Sequence, residues 1–272
     1  MLHLRSMALL AGVSLLGTAC GGPEAEAPQQ DGLSGMSYEA FRQGVFQEPE
    51  SGVFIAFGDE AFESEALLRE AFEQARDGLG TTRDGLAVYY ASRKDVKWTA
   101  SQALNLTYCV STGFGANYSK VVSAMNTATS AWEGAANVNF VHVSAQDSNC
   151  NARNSNVIFD VSPVNVGGQY LARAFFPNSS RRSRNVLIDN SSFSAGAPGL
   201  DGILRHELGH TLGFRHEHTR PEAGACFEDN QWRALTPYDS SSVMHYPQCN
   251  GTNTWSLTLT ALDKQGAALL YP

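Results

Sequence analysis

Apolar residues recur with two different spacings along the chain. Helical spacing predicts helices at 60–78, 118–136 and 200–212. Short apolar or alternating runs predict strands at 104–110, 138–143, 156–161, 171–176 and 186–189. The part before residue 98 is charged and favours helix, whereas strands and glycine-rich turns dominate after it. Helices interspersed with short strands predict a mixed sheet covered by helices, an α+β or α/β arrangement.

The first twenty residues have the pattern of an export signal. Arg5 precedes an apolar run from Met7 to about Leu16, and small residues follow the run. This run is too short to span a bilayer, and no later stretch reaches the roughly 18 apolar residues of a transmembrane helix. Cys20 then stands where bacterial lipoproteins carry their lipidated cysteine, although Gly17 replaces the usual Leu. We therefore expect an exported protein, either released or anchored through a lipid on Cys20.

The distribution of charge divides the chain. The formal net charge of −8 excludes the basic surface that nucleic acids or anionic membranes require. Residues 21–97 carry 15 acidic and 7 basic side chains, whereas residues 98–272 carry 12 and 11. A hydrophobic content of 43% is enough to build a sizeable core. Composition therefore predicts a signal peptide at 1–20, an acidic segment at 21–97 and a separate domain at 98–272.

Four further cysteines predict disulfide bonds. An even number of cysteines in an exported protein indicates two bonds, here among Cys109, Cys150, Cys226 and Cys249. Four thiols allow three pairings, and the sequence does not choose among them. We favour Cys109–Cys150 and Cys226–Cys249, because each pair then lies on one side of the histidine motif described next. The absence of a CxxC spacing argues against a zinc finger.

Residues 206–216 spell HELGHTLGFRH, a pattern typical of a metal site. His206 and His210 lie four residues apart, so on the predicted helix they project from one side and suit a tetrahedral ion. Glu207 lies between them and can reach a water molecule bound to that ion. Gly213 is the expected left-handed end of the helix, after which the chain reverses and brings His216 to the metal as a third ligand.

The metal expected at this motif is Zn²⁺, bound as one catalytic ion. Three imidazoles and a carboxylate-activated water suit a borderline-soft ion with an open coordination position. From the composition of this chain, the full HExxHxxGxxH pattern is expected by chance in only about one sequence per tens of thousands. Surface histidines on a core helix are therefore a poor explanation. His142, His218 and His245 lie outside the pattern, and we expect them to be structural or surface residues.

The stretch HELGHTLGFRHEH resembles the metzincin zinc endopeptidases, and its GFxHEH part is similar to the astacin branch. Residues 242–246, SVMHY, resemble the Met-turn of that branch, in which Met244 would form an apolar floor below the metal and Tyr246 could ligate it. The bacterial "dual-action HEIGH" metallopeptidases are also similar, with Leu208 in place of Ile. The resemblance extends over most of 98–272.

This resemblance implies a particular fold. Metzincins are α+β proteins with two subdomains, a twisted mixed sheet, an active-site helix and a Met-turn. The predicted strands at 171–176 and 186–189 resemble the edge strand and the central strand that precede the active-site helix. An extended substrate is expected to pair with the edge strand.

The acidic segment at 21–97 resembles a propeptide that silences a protease during export. Phe57, Gly58 and Asp59 are similar to the aspartate switch of astacin propeptides, although the aromatic residue lies one position off. The resemblance implies that the Asp59 carboxylate occupies the position of the catalytic water on zinc. Cleavage within 91–100 is then expected to release the enzyme.

The function expected from these residues is that of a monomeric zinc-dependent endopeptidase made as a zymogen and acting on protein or peptide substrates. Glu207 would be the general base, and Tyr246 would stabilise the oxyanion. Two alternatives remain open. One is a zinc-stabilised surface module that binds a partner without turnover, against which the intact Glu207 argues. The other is a zinc hydrolase acting on non-peptide esters or amides.

Overall fold

The computed structural model describes residue 33 and residues 35–77, 86–194, 198–253 and 255–272. The predicted signal peptide at 1–20 and Cys20 lie outside these ranges. Within them the chain forms two packed units, of which the first covers residues 33–77 and the second covers residues 86–272.

The first unit is a small sheet packed against two helices. Strand β2 pairs antiparallel with both β1 and β3. The helices cover one face of this sheet and enclose a core of their own, in which Phe41 stacks on Phe72 with ring centroids 4.9 Å apart. The elements are α1 (Tyr38–Gly44), β1 (Phe46–Gln47), β2 (Phe54–Ala56), β3 (Glu60–Phe62) and α2 (Glu65–Asp77).

The second unit contains a five-stranded sheet, a three-stranded sheet and four helices. Its strands are β4 (Ala87–Ala91), β5 (Lys94–Asp95), β6 (Leu106–Val110), β7 (Phe140–His142), β8 (Phe159–Val164), β9 (Ala172–Arg173), β10 (Asn185–Asp189) and β11 (Trp232–Ala234). Its helices are α3 (Ala100–Ala103), α4 (Tyr118–Glu133), α5 (Leu200–Thr211) and α6 (Ala261–Leu270).

The five-stranded sheet has the order β7-β6-β8-β10-β9. Four of its strands run parallel, and β9 pairs antiparallel with β10 at the edge. Helices α4 and α5 pack against each other beside this sheet. Trp132 fixes their contact, since its indole Nε1 donates to the carbonyl of Arg205 at 2.9 Å and its ring stacks on Phe214. A mixed sheet with packed helices confirms the predicted α+β class.

Most of the elements in the second unit follow the predicted periodicity. The predicted helices at 118–136 and 200–212 are α4 and α5, and the predicted strands correspond to β6 to β10 with shifted ends. The helix predicted at 60–78 was wrong at its start, because Glu60–Phe62 pairs with β2 and the helix begins only at Glu65. Ser64 caps this helix by accepting a hydrogen bond from the Leu67 amide at 3.3 Å.

Residues 86–97 pack with the second unit, although the sequence placed them in the acidic segment. Strands β4 and β5 form a hairpin, and β4 also pairs with β11. Leu86, Val88 and Trp98 are buried in the same core as α4 and α5. The division in packing therefore lies before Leu86 and not at residue 97, because tertiary pairing with distant strands outweighs the local polar composition of 91–98.

Two disulfide bonds close loops of the second unit. They join Cys109 to Cys150 and Cys226 to Cys249, with Cα–Cα distances of 5.6 Å. These are the pairs favoured from the sequence. Among the described residues, no helix combines the length and apolar character that crossing a bilayer requires.

Replacing Leu86 tests whether the hairpin belongs to the core of the second unit. Leu86 is 2% exposed and lies against Gly266 of α6. We expect Leu86→Ala to lower the free energy of unfolding by about 2–5 kcal/mol, measured by chemical denaturation of the full chain. Leu104→Ala is the control, because Leu104 is 46% exposed and its loss is expected to cost less than about 0.5 kcal/mol. Equal effects of the two substitutions would contradict the assignment.

Candidate active site

Helix α5 and the turn after it bring the histidines of the motif together. His206 and His210 lie on the same side of the helix, and their ring centroids are 4.9 Å apart. Gly213 ends the helix with φ of +100°, and a Cβ atom at this position would collide with the carbonyl oxygen of Val96. The chain then reverses, and the Arg215 amide bonds to the Ala87 carbonyl at 2.7 Å. This contact with β4 directs His216 back beneath the helix.

The free ring nitrogens of these histidines converge on one point. His206 Nε2 lies 3.2 Å from His216 Nε2, and the ring centroids of His210 and His216 are 4.7 Å apart. All three rings are at most 3% exposed. The predicted trio is therefore assembled by the fold.

A hydrogen bond fixes the orientation of each ring. Nδ1 of His206 faces the Val243 carbonyl, and Nδ1 of His210 faces the Phe214 carbonyl, both at 2.8 Å. Nδ1 of His216 faces Glu228 Oε1 at 2.5 Å. Because Nδ1 donates in each case, the Nε2 lone pairs remain available to a metal ion.

Asp59 from the first unit completes the cluster. Its carboxylate lies 3.1 Å from His216 Nε2, 3.5 Å from His206 Nε2 and 3.7 Å from His210 Nε2. Burial opposes ionisation, but the imidazoles of His216 and His206 lower the pKa of Asp59 well below its usual value. The side chain is thus an anionic carboxylate among the imidazoles.

This set of atoms fits a zinc ion. The four side chains offer one ligand atom each within 4.8 Å of one another. Asp59 Oδ1 and His210 Nε2 are buried acceptors without a hydrogen-bond donor. Neighbouring ligands of a tetrahedral zinc lie about 3.3 Å apart, close to the observed separations. Three imidazole nitrogens and one carboxylate oxygen are a donor set that Zn²⁺ prefers.

Glu207 is 2% exposed and lines the same cleft as His206 and Asp59. Its Oε2 has no hydrogen-bond partner. Burial and the neighbouring Asp59 carboxylate raise the pKa of Glu207 well above its usual value. A buried carboxyl group with a raised pKa beside a metal site suits proton transfer.

The Met-turn residues lie where the resemblance placed them. Met244 is fully buried, and a Cβ atom on Gly209 would collide with its Sδ, so it packs directly against the active-site helix. The Tyr246 ring lies 4.6 Å from the His216 ring, and burial together with the Asp59 carboxylate raises the pKa of its hydroxyl well above its usual value. Gly58 has φ of +100° and passes so close that a Cβ atom would lie 2.8 Å from the Tyr246 hydroxyl oxygen.

Glu228 and His218 support the site, although no sequence pattern indicated them. Glu228 accepts from His216 Nδ1 and also faces His218 Nε2 at 3.2 Å. Burial lowers the pKa of His218 to about 4, so its ring is neutral. Its Nδ1 accepts a hydrogen bond from the Tyr246 amide at 3.2 Å. Glu228 lies beyond the motif and comes close only through tertiary structure, which is why periodicity could not reveal it.

Arg215 links the site to the first unit. Its guanidinium forms ion pairs with Asp229 at 3.0 Å, with Glu228 at 3.3 Å and with Glu60 of the first unit at 2.6 Å. Glu60 directly follows Asp59, so this pair anchors the segment that reaches the histidines.

Two further histidines among the described residues have structural contacts. His142 is half-buried and pairs with Asp147 at 3.0 Å. His245 is buried and its Nε2 lies 2.8 Å from the Tyr238 hydroxyl. His218, expected to be a structural or surface residue, lies directly beside the site, and with His216 and Glu228 it offers a second group of ligand atoms within 4.8 Å of one another.

Known proteins match the second unit. Residues 97–224 match the family model of the matrixins, the M10 peptidases. High choriolytic enzyme 2 of Oryzias latipes is 36% identical over 20% of this chain and 25% of its own length. The astacin-like metalloendopeptidase of Coturnix japonica is 42% identical over 20% of this chain and 17% of its own length. Part of this chain is therefore similar to metalloendopeptidases. The match spans only about a tenth to a quarter of the curated relatives.

A solved structure of myroilysin is similar in part to this chain. It covers 68% of this chain and 98% of its own, with 19% identity and a TM-score of 0.49. The α+β fold with an active-site helix, a mixed sheet and a Met-turn agrees with the fold that the sequence implied.

Loss of one histidine tests the metal site. We expect the wild-type chain to retain one zinc ion, measured by elemental analysis after dialysis. His210→Ala is expected to lower zinc affinity by more than the roughly 100-fold that loss of an outer-shell partner costs. His142→Ala removes a histidine outside the cluster and serves as the control. Equal zinc content in the two variants would rule out His210 as a ligand.

Proposed function

We propose that this chain is an exported zinc-dependent endopeptidase made as a zymogen. The observation that carries the proposal is the convergence of three histidine Nε2 atoms beside the buried Glu207 carboxyl group. Two disulfide bonds support export to an oxidising compartment. Release or lipid anchoring through Cys20 depends on residues outside the described ranges.

His206, His210 and His216 would hold the zinc ion. When bound, zinc supplies a Lewis acid that polarises the scissile carbonyl and lowers the pKa of a water molecule to about 7. Glu207 accepts the proton of that water at its carboxylate and delivers it to the nitrogen of the leaving amine. Tyr246 donates its hydroxyl hydrogen bond to the developing oxyanion once Asp59 has left. Met244 supports the ring of imidazoles from below.

The substrate would lie extended along β9. This strand forms the edge of the five-stranded sheet and pairs only with β10 among the described strands. Tyr170, Leu171 and Ala172 line a cleft of about 690 Å³ together with His206 and Glu207. A peptide that adds to this edge antiparallel would pass the catalytic groups. An extended edge favours peptides over small esters as substrates.

The first unit would act as the propeptide. Asp59 occupies the space between the histidines where the catalytic water belongs, and the Glu60–Arg215 ion pair holds it there. Removal of this unit must precede catalysis, because the Asp59 carboxylate otherwise lies among the three imidazoles. Since β4 and β5 complete the core of the second unit, we place the end of the propeptide before Leu86, upstream of residue 97.

Glu207→Gln tests the peptidase activity. We expect kcat/KM on a casein or gelatin substrate to fall by about 100- to 10,000-fold, because the amide cannot accept the proton of the water. Zinc content is expected to stay at the wild-type level, since Glu207 is not a ligand. Undiminished cleavage would remove Glu207 from its role. A wild-type enzyme that binds zinc without cleaving any peptide would instead support a binding module.

Asp59→Ala tests the zymogen. We expect the unprocessed variant to cleave peptides at least about tenfold faster than the unprocessed wild type, because no carboxylate then competes for the metal. Mass spectrometry of the assayed sample confirms that the chain is uncut. Glu50→Gln is the control, since Glu50 is an exposed acid of the same unit. Latency that persists in Asp59→Ala would contradict the blocking role.

A further inference from the structure

A second buried charge pair joins the two units away from the histidines. Arg173 of β9 is 1% exposed, and its guanidinium donates from Nε to Glu48 Oε1 and from Nη2 to Glu48 Oε2, both at 2.7 Å. The Tyr170 hydroxyl donates to the same Glu48 Oε1 at 2.7 Å. Glu48 itself is 4% exposed. Its carboxylate is therefore bound by three hydrogen bonds from the second unit.

The other contacts of Arg173 are with neutral groups of the second unit. Nη1 donates to Asn185 Oδ1 at 2.5 Å. Among the described residues, Glu48 is the only carboxylate that forms an ion pair with Arg173. The nearby Asp160 is bound instead by Arg181 at 3.0 Å. Departure of the first unit would thus leave the guanidinium in place with no anionic partner.

Arg173 adjoins residues of the active-site cleft in the sequence. It directly follows Tyr170, Leu171 and Ala172, which line the active-site cleft. The charge of Arg173 also acts on Glu207. Burial and Asp59 raise the pKa of Glu207, and Arg173 offsets part of that rise. The edge strand that we propose to bind substrate therefore carries a preformed cation.

The pKa values of the pair show that both groups are charged. Burial would raise the pKa of Glu48, but the hydrogen bonds from Arg173 lower it below its usual value. Burial would lower the pKa of Arg173, but the bonds to Glu48 raise it. Arg173 thus binds the carboxylate in the bidentate geometry, with two parallel hydrogen bonds, that a guanidinium group offers.

We propose that Arg173, the Tyr170 hydroxyl and Asn185 form a substrate subsite for an acidic side chain, and that Glu48 fills this subsite in the precursor. The inference rests on the proposed function, because it requires the first unit to leave the cleft. A glutamate of the substrate would replace Glu48 and restore the ion pair. A glutamine of the same shape would leave the guanidinium without a counter-charge. The enzyme is therefore expected to discriminate strongly between Glu and Gln at this position.

A set of paired peptides tests the subsite on the activated enzyme. Each pair carries Glu or Gln at one position, and the position is moved along both sides of the scissile bond. We expect the wild type to prefer Glu at one position by about tenfold or more in kcat/KM, because only the carboxylate of Glu can form the charge-assisted pair. Arg173→Gln is expected to bring this Glu-to-Gln ratio close to one, and Arg173→Lys to retain part of it.

Arg182→Gln is the matched control. Arg182 is exposed, lies on the same connection between β9 and β10 and loses the same charge, so the variant is expected to keep the wild-type ratio. Should Arg173→Gln fail to fold, Tyr170→Phe removes one donor to the carboxylate and is expected to lower the ratio. An unchanged ratio in both Tyr170→Phe and Arg173→Lys would then overturn the subsite.

The possible failures are distinguishable. Equal cleavage of the Glu and Gln peptides at every position, or a preference that survives in Arg173→Gln, overturns the subsite and leaves the peptidase intact. Glu48 would then only hold the propeptide against the second unit. Cleavage of no peptide by the wild type overturns the proposed function and the subsite with it.

Discussion

The candidate site depends on one constraint, which is that buried lone pairs of several side chains point to one place and need a partner there. Three imidazole Nε2 atoms and the Asp59 carboxylate converge there, and among the described residues neither Asp59 Oδ1 nor His210 Nε2 has a hydrogen-bond partner. Such an arrangement is unfavourable unless a cation joins the groups, since buried acceptors lose their solvation without gaining a partner. The hydrogen bonds at each Nδ1 hold the rings in this orientation. Binding of a metal ion is thus coupled to the folded state of the second unit.

The surrounding fold keeps these rings in place through contacts that are remote in sequence. The hairpin of β4 and β5 receives the chain after Gly213, and the Arg215 amide bonds to β4. Trp132 locks α4 to α5, and Met244 packs beneath Gly209. Each contact removes freedom from the loop that carries His216. The same contacts explain why residues 86–98 belong with the second unit despite their polar composition.

Carboxylates of the first unit lie on cationic or metal-binding positions of the second. Asp59 faces the histidines, Glu60 pairs with Arg215, and Glu48 pairs with Arg173. Buried ion pairs contribute little net stability but strongly penalise the loss of one partner. They therefore specify where the first unit binds. The acidic composition of the N-terminal segment is in part a set of these specific contacts.

The sequence by itself determined the chemistry of this protein. The spacing of His206, Glu207, His210 and His216 follows from helical geometry and one left-handed glycine, so it could be predicted locally. Local periodicity likewise predicted α4, α5 and most strands of the large sheet. Only the tertiary structure decided which distant groups complete the site. Glu228 at His216, Arg215 on Glu60 and Glu48 on Arg173 join residues 12 to 155 positions apart in contacts or ion pairs. No periodic pattern records such pairs, because they arise from how separate elements pack.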